Sequence, residues 1–217
     1  MTVPATRSGN QRVDRLEAAL IALRHGRMAV AVDDVMDTGC DLVVPAAAAT
    51  TATIATLVRH GSGLVCVTVS AETCHRLELP PLNWRDDADE WYTGSMRVSV
   101  DSIAGTTTGI SAHDRAATLR VVGDPNASAS ALTRPGHVIP VLAESPGLPV
   151  GRPGVLALTA RMCGDAAGSL AYCAAVDECD PYRLATTAEA RTGNPPVFHY
   201  SDVLQATFER TAATGPW

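Results

Sequence analysis

Apolar residues along this chain switch between two spacings. Val13, Leu16, Leu20 and Leu23 recur every three to four positions, which predicts a helix over 12–25 with one apolar stripe. Residues 28–32 and 42–44 are short apolar runs and predict strands. Helical spacing returns over 50–60 and stops at Gly61. A strand at 64–69 and a short helix at 71–77 follow, then a polar loop at 80–92. Val98 and Val100 enter another strand. Ser111, with Asp114 three residues on, has the form of a capping box and opens a helix that runs on through 115–122. Further on, the pattern predicts a turn and short helix over 124–134 and a strand at 138–143. A Pro/Gly-rich loop at 145–154 leads to a helix at 155–167 and a strand at 169–176. The last elements are a helix at 184–191, a strand at 197–200 and a helix at 201–208 capped by Ser201. Strands and helices alternate throughout, which predicts a domain of alternating α/β layers. A flexible N-terminus (1–11), one domain (12–210) and a frayed tail (211–217) complete this reading.

Composition narrows the partners. The 217 residues are 46% apolar but only 4% aromatic, so Ala, Val and Leu must build the core. A formal charge of −6 and the lack of a basic stripe argue against a nucleic-acid partner. No apolar run reaches the roughly 18 residues of a membrane span. The polar N-terminus lacks a signal-type apolar stretch, so a cytoplasmic location is expected. None of the six cysteines forms a C-x-x-C pair, which argues against zinc and for small buried hydrophobes.

The most informative segment is 98–115, VSVDSIAGTTTGISAHDR. A hydroxyl-rich turn sits between a strand and a capped helix. Its free N–H groups, with Thr106, Thr107 and Thr108, can cradle an anion or a polyol; an ordinary β–α turn is the alternative. Together with RHGSG at 59–63 and RPGHVIP at 134–140, the segment resembles the 3,4-dihydroxy-2-butanone 4-phosphate synthase family. The resemblance runs in order over most of the chain. It implies that family's α+β fold, a mixed sheet surrounded by helices. It also implies a homodimer, a small-molecule substrate and the conversion of ribulose 5-phosphate to a four-carbon dihydroxyketone phosphate plus formate, with a divalent metal, usually magnesium.

The same resemblance assigns roles. His137, in RPGH, stands where the family keeps a catalytic histidine. Arg152 matches an arginine that contacts substrate phosphate, and Thr106, Thr107 and Thr108 match the hydroxyl turn. His60 and Ser62 fall in the motif near the site, and Asp41 survives from an acidic loop that typically reads DDEDRENEGDL. Trp84, Trp91 and Tyr92, on the polar loop, suit stacking on a ligand or pinning the loop.

Other family positions are changed. The acidic loop here is DDVMDTGCDL, one residue shorter, with Val35 and Met36 in place of charged groups and Asp37 as a displaced acid. Where the family reads RPGHTEA, with a metal-binding histidine, this chain has RPGVLA, so Val155 and Leu156 replace polar residues. The catalytic glutamate falls at Cys173. Magnesium requires oxygen ligands, so these changes predict no metal and no other cofactor. The resulting expectation is a repurposed, metal-independent member of the family. His137, Cys173 and Asp41 would catalyse a cyclisation, isomerisation or rearrangement of a less polar natural-product metabolite, held by Arg152, Val35, Met36, Val155 and Leu156. The alternatives are a genuine synthase of riboflavin biosynthesis, then using Mg2+, and a non-catalytic binding protein.

Overall fold

The computed structural model describes residues 6–82, 95–143, 151–164, 168–190 and 195–214. Fourteen helices and strands are labelled in chain order: α1 (Thr6–Arg24), β1 (Ala29–Asp33), β2 (Gly39–Pro45), α2 (Thr51–His60), β3 (Cys66–Val69), α3 (Ala71–Arg76), β4 (Ser95–Met96), β5 (Val100–Ser102), α4 (Ala112–Gly123), β6 (Leu132–Leu142), α5 (Arg152–Met162), β7 (Leu170–Ala174), β8 (Val197–His199) and α6 (Tyr200–Thr214). The outer helices reach past the domain limits of 12 and 210 read from the pattern.

The sheet runs β4-β6-β3-β7-β2-β1-β8, with β5 also paired to β6. It is mixed. β1 and β8, and β3 and β6, are parallel, whereas β1–β2, β2–β7 and β3–β7 are antiparallel. Strand side chains alternate between faces, and the core divides accordingly. Val30, Val32, Leu42, Val44 and Cys173 join Ile54 and Leu57 of α2 and Leu119 of α4. Ala29, Ala31, Val43 and Tyr172 join Leu20 and Leu23 of α1, Val155 and Leu156 of α5, and Val203 of α6. Each fully buried leucine in these layers contributes roughly 1.5–3 kcal/mol.

Three elements depart from the sequence pattern. β6 begins at Leu132, not 138, because Asp101 and Ser102 offer backbone partners to Thr133 and Leu132; only the one-turn helix Ala129–Ala131 remains before it. The helix expected at 184–191 shrinks to a single turn, Thr187–Glu189. There Glu189 accepts from Thr186 N and Oγ1 at 2.8 and 2.9 Å and from Arg183 at 2.6 Å, so side-chain caps close the turn locally. α5 starts three residues early, at Arg152, with Pro153 in its first turn, where the missing N–H of proline costs nothing. Among the described residues no helix is long and apolar enough to cross a membrane.

Candidate functional site

His137 lies on β6 beside Asp101 of β5, and two hydrogen bonds join them. His137 N donates to Asp101 Oδ1 at 2.9 Å, and Nδ1 lies 2.7 Å from Oδ2. The Asp101 side chain is 9% exposed and that of His137 38%, so the carboxylate is sheltered and the imidazole opens outward. Two glycines make this approach possible. A Cβ on Gly109 (φ +86°) would sit 1.9 Å from the Asp101 carboxylate and 2.6 Å from His137 Nδ1, and one on Gly136 would fall 2.1 Å from the Val100 backbone. With Nδ1 held by Asp101, Nε2 is the nitrogen left to exchange a proton. Sequence reasoning missed Asp101; its signal was a lone acid in the apolar strand VSVDS.

The hydroxyl turn is present, but Asp114 fills it. Thr107 N, Thr107 Oγ1 and Gly109 N all donate to Asp114 Oδ2, at 3.2, 2.9 and 3.0 Å. Thr106 Oγ1 donates to Ser102 O. Ser111 caps α4 by accepting from Asp114 N at 3.0 Å, while the Asp114 carboxylate turns to the loop rather than completing a box. Burial pushes this carboxyl up, but the bonds from Thr107, Gly109 and Ser111 outweigh it and hold it below the usual range. Thr106 and Thr107 thus bond within the turn, and Thr108 is exposed beside it.

Arg152 and Asp41 form a second, sealed pair. Arg152 Nε donates to Asp41 Oδ2 at 2.6 Å, and Nη2 donates to Oδ1. The side chains are 7% and 4% exposed. The guanidinium lies over the Tyr172 ring, 5.0 Å from its centroid, and Tyr200 Oη donates to Asp41 Oδ2 at 3.2 Å. Neither tyrosine was foreseen. Both are buried, and a buried phenol needs a polar partner, which was the available signal.

The remaining candidates scatter. Asp41 pairs with Ala174 across β2–β7, and Cys173 pairs with Leu42. Cys173 thus faces the layer opposite Arg152; it is 1% exposed and 3.4 Å from Ser62 Oγ. Ala174 is the residue paired with Asp41, and Tyr172, two positions before it on the same face, lies against Arg152. Val155 and Leu156 are fully buried in the layer with α1, whereas Val35 and Met36 are exposed on the β1–β2 hairpin. Burial and the nearby Glu189 push the Cys40 thiol up to about 11, against a smaller opposing pull from Arg152. Cys40 and His60 line a cavity of about 730 Å³ floored by Val30, Leu42 and Ala175. Trp84, Trp91 and Tyr92 lie outside the described residues.

Comparison with known proteins resolves the class. The profile of the family described as 3,4-dihydroxy-2-butanone 4-phosphate synthase matches residues 17–192, and the chain belongs to that family. The riboflavin biosynthesis protein RibBA of Nocardia farcinica is 39% identical over 184 residues, covering 83% of this chain and 44% of that protein. The chain thus spans under half the length of that relative. The 3,4-dihydroxy-2-butanone 4-phosphate synthase of Bordetella pertussis is 41% identical over 135 residues, 62% of this chain and 58% of that protein. The Candida albicans synthase structure superposes with a TM-score of 0.78 at 29% identity, covering 88% of this chain and 96% of that one. A synthase structure in complex with two magnesium ions gives 0.75 at 28%, covering 93% and 99%.

Two expectations fall to these findings. Relatives at this identity are named for riboflavin biosynthesis, so the repurposed natural-product enzyme is not upheld. The expectation of no cofactor is overturned by the relative that holds two magnesium ions. How far this chain's residues suit such an ion is a separate matter. Asp33 accepts from Val35 N, Met36 N and Thr38. Asp34 accepts from Ser201, Asp37 from Thr187, and Asp41 from Arg152 and Tyr200. Among the described residues no three His, Cys, Asp or Glu side chains are grouped to hold a metal. As they stand, these residues do not fit magnesium.

Proposed function

We propose that this chain carries out the reaction for which its family is named, converting ribulose 5-phosphate to 3,4-dihydroxy-2-butanone 4-phosphate and formate, in the cytoplasm and as a homodimer. The observation that carries the reading is the His137–Asp101 pair, built by β5 and β6 inside the matched region. The reaction needs protons moved at carbon and at hydroxyl oxygens. An imidazole with one nitrogen anchored on a buried carboxylate and the other facing outward is suited to take and return them. Arg152 supplies the guanidinium for the phosphate monoester, whose oxygens accept its paired donors. Leu64, Ile103 and Ile110 expose apolar side chains on the loops bordering this region, which supports burial against a second copy.

The test is direct. Purified full-length chain is incubated with ribulose 5-phosphate, with and without magnesium, and formate is measured. In parallel the gene is placed in a riboflavin auxotroph lacking the synthase. Formate release and growth are expected; neither appearing under any metal condition would overturn the reading.

A further inference from the structure

Three consecutive residues at the junction of β8 and α6 reach back to the β1–β2 hairpin. Ser201 N and Oγ donate to Asp34 at 3.0 and 2.6 Å, and His199 Nδ1 lies 3.3 Å from the same carboxylate. Between them, Tyr200 sends its hydroxyl to Asp41. Tyr200 is fully buried, and burial pushes its phenol further up, so it stays a donor. All three residues lie beyond the stretch that the family profile matches, 17–192.

The consequence falls on Arg152. Two of its donors, Nε and Nη2, already hold a carboxylate, so an anionic ligand competes with Asp41 for that edge of the guanidinium. The Tyr200 donor fixes the Asp41 carboxylate in the orientation that meets Arg152, and leaving that orientation costs this bond as well. We infer that Tyr200 is a positioning residue: by donating to Asp41 it holds Arg152 in the buried pair, and so sets how readily Arg152 exchanges that partner for the oxygens of a phosphate monoester. This rests on the function proposed above. It makes the phenol a determinant of affinity that acts without touching the ligand. A ligand gains only the difference between its own hold on Arg152 and that of Asp41.

Tyr200→Phe keeps the ring and its packing and removes the donor. Calorimetric titration with inorganic phosphate should show binding about three- to tenfold tighter than in the unaltered chain, the range expected for one lost hydrogen bond of about 1 kcal/mol. A gain of affinity is not what a merely structural loss produces. Unchanged or weaker binding would overturn the inference, as would no phosphate binding by either protein. Should the variant not fold, the unaltered chain still decides. The Arg152 Nε–H signal should exchange slowly without phosphate and faster with it, and fast exchange at the outset would count against the proposal. Formate release is assayed alongside. A chain that binds phosphate as described yet makes no formate refutes the proposed function and leaves this inference standing.

Discussion

His137–Asp101 and Arg152–Asp41 each join a carboxylate to a nitrogen-bearing residue through two hydrogen bonds, yet they sit in different surroundings. The first keeps 38% of its histidine side chain open; the second is sealed to 7% and 4%. An open pair adds little to stability but can trade protons. A sealed pair resists the loss of either member, because the survivor is left charged and unmatched in a poorly polarisable interior. One pair faces outward and the other is closed off from solvent, within one small protein.

The comparison can be broken most sharply at the open pair. His137→Ala should lower kcat for formate release by about 10²- to 10⁴-fold while leaving thermal unfolding nearly unmoved; a large shift in midpoint would erase the distinction. At the sealed pair the outcome reverses. Asp41→Leu or Arg152→Leu alone should lower unfolding free energy by about 3–5 kcal/mol in urea titrations, and the double leucine variant should recover most of it. Equal losses in single and double variants would show that Arg152 and Asp41 are not energetically a pair.

Acid sharpens the contrast further. Asp34 and Asp114 are both held below the ordinary carboxylate value of 3.8, in each case by hydrogen bonds that outweigh burial. A lowered native value means stabilisation that is complete above 3.8 and lost as pH falls through the native value. Hydrogen exchange in the 33–38 hairpin and the 105–111 turn should therefore quicken at low pH, and in Ser201→Ala the hairpin alone should loosen. The smallest effect belongs to the cysteines. Cys173→Ser should change kcat by less than about twofold, and Cys40, raised to about 11, should alkylate slowly at neutral pH.

Local features were legible in the sequence. Ser111 as cap of α4, the end of α2 at Gly61 and the alternation of strands and helices all follow from near-neighbour rules. What failed was long-range or hung on a single residue of register. Arg152 and Asp41 are 111 residues apart, and no spacing rule brings them together. Cys173 lies on the face of β7 away from Arg152, while its neighbour Tyr172 lies against Arg152, because strand side chains alternate with a period of two. Asp114 read as half of a capping box because Ser111 lies three residues before it, but three donors from the preceding turn claim its carboxylate instead. Val155 and Leu156 suggested an apolar pocket; an apolar residue at a former ligand position is as readily absorbed into the core.

By its parallel docking, β8 closes the border of the sheet beside β1, and the residues that follow it bind Asp34 and Asp41. One short junction therefore supplies both a strand partner and two side-chain ties. A disturbance that loosens α6 reaches the edge of the sheet and both carboxylates together.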